Sequence, residues 1–381
     1  MLQIDHIYEF LYTTLFKDFA LGTLPRGVIP HKSQDSDYTL NDIHVFNWSK
    51  PTHKIFLWDQ EPLDSHLIQI YFHLFDIESS KIPCALITSE HSQLAKNVCQ
   101  ARGFKYMYYF FHGFAALDWY RGFRALNYTK DVEREYQYDY VNFNRLVVND
   151  RSYRCYLVSQ LIKYDLLNHG QVSFGLDNEQ GDWRDEVNDH NTKLSSHAVN
   201  EINQYLPNLS GPLTVDSEVV HGWASADIPR VIEQSFWHVV TETVFYYPKQ
   251  HLTEKIFKPI AMKQPFMLIA APGNLAYLKS YGFKTFDTVI DESYDTIEDP
   301  DARIDAVVRQ LHWYCNLSPG EKTDIIRQLK PIIEYNFQHF YGEFRQIIAR
   351  ELLDNAKILF AELGHDDSHI DYAVIENLLT V

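Results

Sequence analysis

Seven short apolar runs, continuous rather than alternating, constrain most what this chain can fold into. Lys54 to Trp58, Cys84 to Thr88 and Tyr106 to Phe111 make one series; Tyr138 to Phe143, Gln171 to Phe174, Trp237 to Thr241 and Pro265 to Ala270 make a second. A strand that is apolar on both faces must be covered on both, which is the situation of parallel strands flanked by helices. The segments between runs are long enough for the crossover helices that parallel pairing requires. Two such series predict an α/β protein with two Rossmann-like, doubly wound halves. With 381 residues the chain has material for two cores. The boundary is expected near Glu133 to Tyr138, giving a first domain over 1–135 and a second over 136–335.

The last third reads as helical. Ile304, Val307, Val308 and Leu311 recur at helical spacing, and Ser318-Pro319-Gly320-Glu321 supplies an N-cap, a first-turn proline and a capping-box glutamate. Phe337, Phe340, Phe344, Ile347 and Ile348 predict a long final helix, so that 336–381 would return to brace the first domain. Asp177 to Thr192, polar and acidic, is expected to be an exposed loop.

Composition narrows the functional classes. No stretch approaches a membrane span and the start of the chain has no basic region leading an apolar core, so a cytoplasmic protein without membrane partners is expected. Four widely separated cysteines, with no C-x-x-C pair, predict buried thiols rather than disulfides or a zinc site. The net charge of −17 opposes a broad electrostatic grip on nucleic acid. The exception is 96–134, where seven basic residues face three acidic ones and eleven aromatics are interleaved.

The strongest local motif is Leu252-Thr253-Glu254-Lys255. Thr253 suits an N-cap, which places Glu254 and Lys255 in a first helical turn whose free N–H groups and positive dipole end attract an anion. Lys255 would give a diphosphate a point charge and Glu254 would accept from ribose hydroxyls. Pro259 predicts that this helix is kinked or short. The same spacing also fits an ordinary capped helix with an exposed Glu254 to Lys258 pair.

Thr-Glu-Lys opening a helix after a strand, followed by Lys-Pro and a buried strand, resembles the donor segment of α-1,3-fucosyltransferase-like enzymes of the GT-B type. The wider pattern is similar to bacteriophage-encoded glycosyltransferases. It comprises Asp59-Gln60-Glu61-Pro62-Leu63, Phe111-His112-Gly113-Phe114 with Asp118-Trp119-Tyr120-Arg121, Phe143-Asn144-Arg145, and Gly282-Phe283-Lys284-Thr285-Phe286 with Asp291 to Asp295. The resemblance implies two Rossmann-like domains facing a cleft and a nucleotide-sugar as donor substrate; a positively charged helix terminus with Arg145 and Lys255 would make a metal unnecessary, and no separate cofactor is expected. It implies a hydroxylated or hydroxymethylated pyrimidine in phage DNA as acceptor, with a glycan acceptor and a non-catalytic nucleotide-binding protein as alternatives.

Within that frame the donor candidates are Arg145, Arg154, Glu242, Thr253, Glu254 and Lys255. Arg145 follows a strand whose carboxyl end should face the ligand crevice, and Glu242 ends another. Candidate bases are Asp59, Glu61 and His112: the two acids, spaced by two, would lie on one side of an extended segment, where mutual repulsion raises the proton affinity of one. His91 carries a weaker form of the histidine argument. Trp58, Trp119 and Arg121 are the acceptor-side candidates, since aromatics and a cation can stack on a base or a sugar. Asp35-Ser36-Asp37 has the D-x-D spacing of a metal-bound diphosphate site but lies in a polar run instead of at a strand end.

Overall fold

The computed structural model describes residues 4–23, 44–46, 53–59, 62–63, 82–120, 136–144, 146–175, 177–178, 181–209, 213, 229–373 and 375. The chain divides into two compact units, Met1–Asp118 with Glu343–Val381, and Trp119–Gly342. No described helix is long and apolar enough to cross a membrane.

The first unit carries a five-stranded sheet of β1 (Ala20–Thr23), β2 (His44–Phe46), β3 (Lys54–Trp58), β4 (Cys84–Thr88) and β5 (Lys105–Tyr108), in the order β2-β1-β3-β4-β5. All neighbours are parallel except β2, which runs antiparallel at the edge. The two strands that apolar runs do not announce, β1 and β2, complete it. Strand β4 is buried along its whole length and β3 at all positions but the first, as strands covered on both faces require. Helix α1 (Ile4–Phe10), helix α2 (Gln93–Arg102) and all but the last residue of helix α3 (Phe111–Trp119) belong to this unit, with α3 beginning where the predicted third strand was expected to end. Helix α2 is held at both ends: Ser92 Oγ accepts from Ala95 N, and Gly103 closes the helix at φ +71°. The C-terminal helix Arg345–Leu363 packs on the same unit, where Asn355 Nδ2 donates to the Tyr108 carbonyl (3.1 Å) and Phe360 stacks on Phe16.

The second unit contains β6 (Tyr138–Asn144), β7 (Gly170–Phe174), β10 (Ser235–Thr241) and β11 (Phe266–Ile269), all parallel in the order β11-β10-β6-β7. The segment expected to be a loop after β7 is instead a small hairpin, β8 (Asp177–Asn178) with β9 (Gly181–Asp182), leading into α5 (Trp183–Asn188). Asp182 caps that helix, and burial of Trp183 and Val187 supplies the apolar anchor hidden in an acidic sequence. Helix α4 (Tyr153–Lys163) and helix α6 (Ser196–Tyr205) pack together beside the sheet. Helix α7 (Pro229–Glu233) leads into β10, and helix α8 (Glu254–Ala261) contains Pro259 and stops two residues beyond it. Further along lie α9 (Asn274–Ser280), α10 (Pro300–Cys315) and α11 (Pro319–His339). The last carries the expected Ser318–Glu321 capping box. All four cysteines are buried and free.

Candidate functional site

In the second unit, β6 continues to β7 on one side of the sheet while β10 continues to β11 on the other. Connections that leave adjacent strands in opposite directions open a crevice at the carboxyl ends of those strands. Here the two strands are β6 and β10, aligned so that Val239 lies beside Asn142. Just past them in sequence come Arg145 and Glu242.

A buried polar network fixes these strand ends. Asn142 Nδ2 donates to the Val239 carbonyl (2.8 Å), Asn144 Nδ2 bonds Asn142, and Thr241 Oγ1 donates to the Phe143 carbonyl (3.0 Å). Arg154, buried on α4, spans the gap with Nη1 on the Leu146 carbonyl and Nη2 on the Thr241 carbonyl, each at 2.9 Å. Both terminal nitrogens of Arg154 are thus bonded to backbone at the crevice floor. Tyr153 OH donates to the Glu242 carbonyl (2.5 Å), and Arg303 Nη2 to the Phe245 carbonyl (2.8 Å), so the turn after β10 is held from two helices.

The Thr-Glu-Lys motif meets this turn. Thr253 caps α8, its Oγ1 accepting from Lys255 N (3.4 Å), and Glu242 receives both Thr253 N (3.1 Å) and Thr253 Oγ1 (2.5 Å). Lys255 Nζ lies 3.0 Å from Glu254 Oε1, 3.2 Å from Thr253 Oγ1 and 3.4 Å from Thr243 Oγ1, with its side chain 34% exposed. The first-turn lysine side chain is therefore partly exposed while Thr253 and Glu242 beside it are buried. Tyr120, fully buried, donates its hydroxyl to the Glu254 carbonyl (3.1 Å) and fixes that turn from below. Burial first, then the nearby Glu254 and Glu242 carboxylates, hold the Tyr120 hydroxyl well above its ordinary range, so it remains a donor.

The first unit presents its own set at the carboxyl ends of its strands. Asp59, just past β3, is buried and both its carboxylate oxygens face Tyr8 OH, at 3.1 and 3.0 Å. Its carbonyl accepts from Ser89 Oγ (2.6 Å). Glu90 follows β4, fully buried, accepting Leu63 N (2.8 Å) and the Ser92 hydroxyl. His91 stacks on Tyr108 with centroids 3.6 Å apart. Burial, helped by Lys96, lowers its pKa to about 4, so it is neutral at physiological pH. His112 is buried in the first turn of α3. Trp58 packs into the core with Phe56, Leu63 and Leu86, which makes it a core residue, and Trp119 ends α3 partly exposed.

Thr253, Glu254, Lys255 and Glu242 thus come together in one network, while Arg154 joins it through backbone. Asp59 and His112 each follow a strand of the other sheet. Glu61, Arg121, Arg145 and Asp35-Ser36-Asp37 lie outside the described residues, as does part of the basic, aromatic 96–134 segment. Tyr8, Thr243 and Glu90 also belong to these networks, and Tyr120 does so beyond its place in Asp118-Trp119-Tyr120-Arg121; of the four, Glu90 has a further sequence signal, an acid two residues past an apolar strand.

Among the described residues, one group of three could share a metal ion: Asp139, His169 and Cys315, with ligand atoms within 4.8 Å of one another. It sits near the amino ends of β6 and β7, and Lys322 Nζ already contacts Asp139 Oδ1 at 2.7 Å, supplying a positive charge there.

Under the crevice, His238 on β10 is buried with Nδ1 3.2 Å from Gln264 Oε1. Burial, with Lys258 adding repulsion, lowers its pKa to about 3. A histidine whose folded pKa is depressed contributes stability that is complete above the unfolded value and lost as pH falls toward the folded one. Between about pH 6.5 and about pH 5 the protein should lose roughly 2 kcal/mol through this group. Urea unfolding across that range should show the loss, and His238→Gln should flatten it; equal slopes in the two proteins would refute the assignment.

Compared with known proteins, the chain matches no protein-family model, no curated protein and no solved structure.

Proposed function

We propose that this chain is a glycosyltransferase of the GT-B type that moves a sugar from a nucleotide-sugar to an acceptor hydroxyl. The observation that carries the reading is the half-exposed Lys255 ammonium in the first turn of a Thr253-capped helix, beside the carboxyl ends of β6 and β10. The positive dipole end of a helix together with a first-turn lysine favours a diphosphate, and the strand-end crevice is where α/β sheets receive nucleotides. Glu254 would accept from the ribose, and Arg145 would join Lys255 in stabilising the charge that develops on the leaving diphosphate.

In the transfer step, the acceptor oxygen forms a bond to the anomeric carbon as that carbon's bond to the diphosphate breaks. The bonding pair leaves with the diphosphate, and the acceptor proton passes to a base. Asp59 is the best supported base in this reading, a buried carboxylate at a strand end and oriented by Tyr8; Glu61 and His112 are its rivals. Attack opposite the leaving group inverts the anomeric centre.

For the acceptor, the basic and aromatic 96–134 segment supports a hydroxymethylated pyrimidine in DNA, whereas the net charge of −17 supports a soluble glycan. Incubation with a panel of nucleotide-sugars and either hydroxymethylated DNA or oligosaccharides, read by product mass, is expected to give a single sugar added. Steep loss of activity with salt would mark DNA as the acceptor. Absence of transfer to every acceptor, with nucleotide binding intact, would reject the enzyme reading in favour of a nucleotide-binding protein. Retained anomeric configuration would reject the single-displacement base.

A further inference from the structure

Glu242 is fully buried; one carboxylate oxygen receives the Thr253 amide, and the other receives the Thr253 hydroxyl together with the Thr243 amide at a longer 3.4 Å. The Thr253 hydroxyl has a single proton to give. Donated to Glu242, that proton points inward, and the oxygen's remaining capacity accepts Lys255 N and Lys255 Nζ.

The charged and titratable groups around Glu242 are few. Helix α8 offers Lys255 and Glu254; α4 offers Arg154, whose Nη nitrogens bond backbone carbonyls, and Tyr153, whose hydroxyl bonds the Glu242 carbonyl; Tyr120 approaches from the end of α3. Lys255 is thus the cation that most directly balances the carboxylate. Burial pushes the Glu242 carboxyl above its ordinary range, with Lys255 pulling it back and Glu254 adding to the rise. A diphosphate bound at Lys255 would claim the same ammonium and bring more negative charge beside a buried anion.

We propose that Glu242 is a positioning residue of the anion site which takes up one proton from solvent when a diphosphate binds at Lys255, and that Thr253 then turns its hydroxyl from Glu242 to the ligand. The step is a protonation alone: carboxylate plus proton gives the carboxylic acid. One oxygen still accepts Thr253 N–H, and the new O–H donates to Thr253 Oγ1. The Thr253 proton, released from Glu242, becomes a donor to a phosphate oxygen. The inference rests on the diphosphate reading of the same helix turn, and it adds a pH-linked control of donor affinity.

The test is calorimetric titration of the full chain with UDP, GDP, ADP, CDP and dTDP. Each is run in buffers of different ionisation enthalpy between about pH 6 and about pH 8.5. The expected result is net uptake approaching about one proton for the nucleotide that binds, with Kd rising up to about tenfold per pH unit where uptake is complete. Glu242→Gln keeps the shape, accepting Thr253 N–H and donating to Thr253 Oγ1 as the protonated acid would, and gives up only the long contact from Thr243 N. It should bind without this uptake, and the diphosphate's own ionisation, common to both proteins, cancels in the comparison. Binding with no proton uptake, or uptake unchanged in Glu242→Gln, overturns the inference and leaves the donor site standing. Failure of every diphosphate to bind overturns the donor-site reading and this inference together. Should the variant not fold, the wild-type dependence of Kd on pH decides alone, a flat profile refuting the proposal.

Discussion

Gly170→Ala is expected to destabilise the second unit by about 3 kcal/mol or more, seen as a lower urea midpoint with an unchanged slope. The backbone does not demand glycine here, since φ −135° and ψ 170° are ordinary extended values. The demand comes from Tyr140. A Cβ built on Gly170 would sit 2.4 Å from the Tyr140 ring atoms Cε1 and Cζ, far inside van der Waals contact. The ring has little room to retreat: Tyr140 is fully buried on β6, next to β7, and its hydroxyl donates to the Leu166 carbonyl (3.0 Å). Relief would require an off-rotamer ring or a displaced strand, and moving the ring would break that hydrogen bond in a dry environment. Gly170→Ala combined with Tyr140→Phe isolates the clash from the hydroxyl. The double variant should remain nearly as unstable as Gly170→Ala, because the ring itself is the obstacle. A wild-type midpoint for Gly170→Ala would show that β7 can slide at no cost.

The sheets were legible in the sequence where strands were buried on both faces, because short continuous apolar runs suit strands covered by helices on both sides. The β1 and β2 segments escaped notice for the opposite reason. Ala20–Thr23 and His44–Phe46 are short, and Ala-Leu-Gly-Thr has neither alternation nor an apolar run. The Asp177 to Thr192 error has a similar cause. Composition recorded the acids there, but Trp183 and Val187 were enough to anchor a short helix once Asp182 capped it. At the candidate site, the capped helix at Thr253 was readable from capping chemistry, whereas the partners of its residues were not. Tyr120 lies more than a hundred residues before Glu254, and only tertiary packing joins its hydroxyl to the Glu254 carbonyl. Arg154 shows how residue type misleads over such distances. The resemblance made it a donor-site candidate through its residue type, yet both its terminal nitrogens bond carbonyls at the ends of two strands. Periodicity and capping leave marks in a sequence, whereas pairings such as these are marked only by proximity in space.

Lys255→Ala should weaken binding of the donor's nucleoside diphosphate by about 2–3 kcal/mol, roughly 30- to 150-fold in Kd. Two effects act in the same direction. The variant removes an ammonium that can make charge-assisted bonds to phosphate oxygens, each stronger than a neutral pair. It also leaves the Glu254 carboxylate without the cation 3.0 Å away, so a negative charge that Lys255 balanced now opposes an arriving anion. The partly solvated pair with Glu254 contributes little to stability, but buried Glu242 also loses its balancing cation, so the variant should be somewhat less stable, with a smaller deficit at low pH where Glu242 is protonated. Lys255→Arg preserves the charge but changes its geometry. A planar fork cannot sit among Thr243, Thr253 and Glu254 as a compact ammonium does, so recovery should be partial. The nucleoside monophosphate provides an internal control, since with one phosphate fewer to meet the ammonium it should lose less affinity than the diphosphate. Unchanged diphosphate affinity in a folded Lys255→Ala protein would move the phosphate site away from this helix. Affinity lost equally for monophosphate and diphosphate would show that Lys255 shapes the pocket instead of contacting the terminal phosphate.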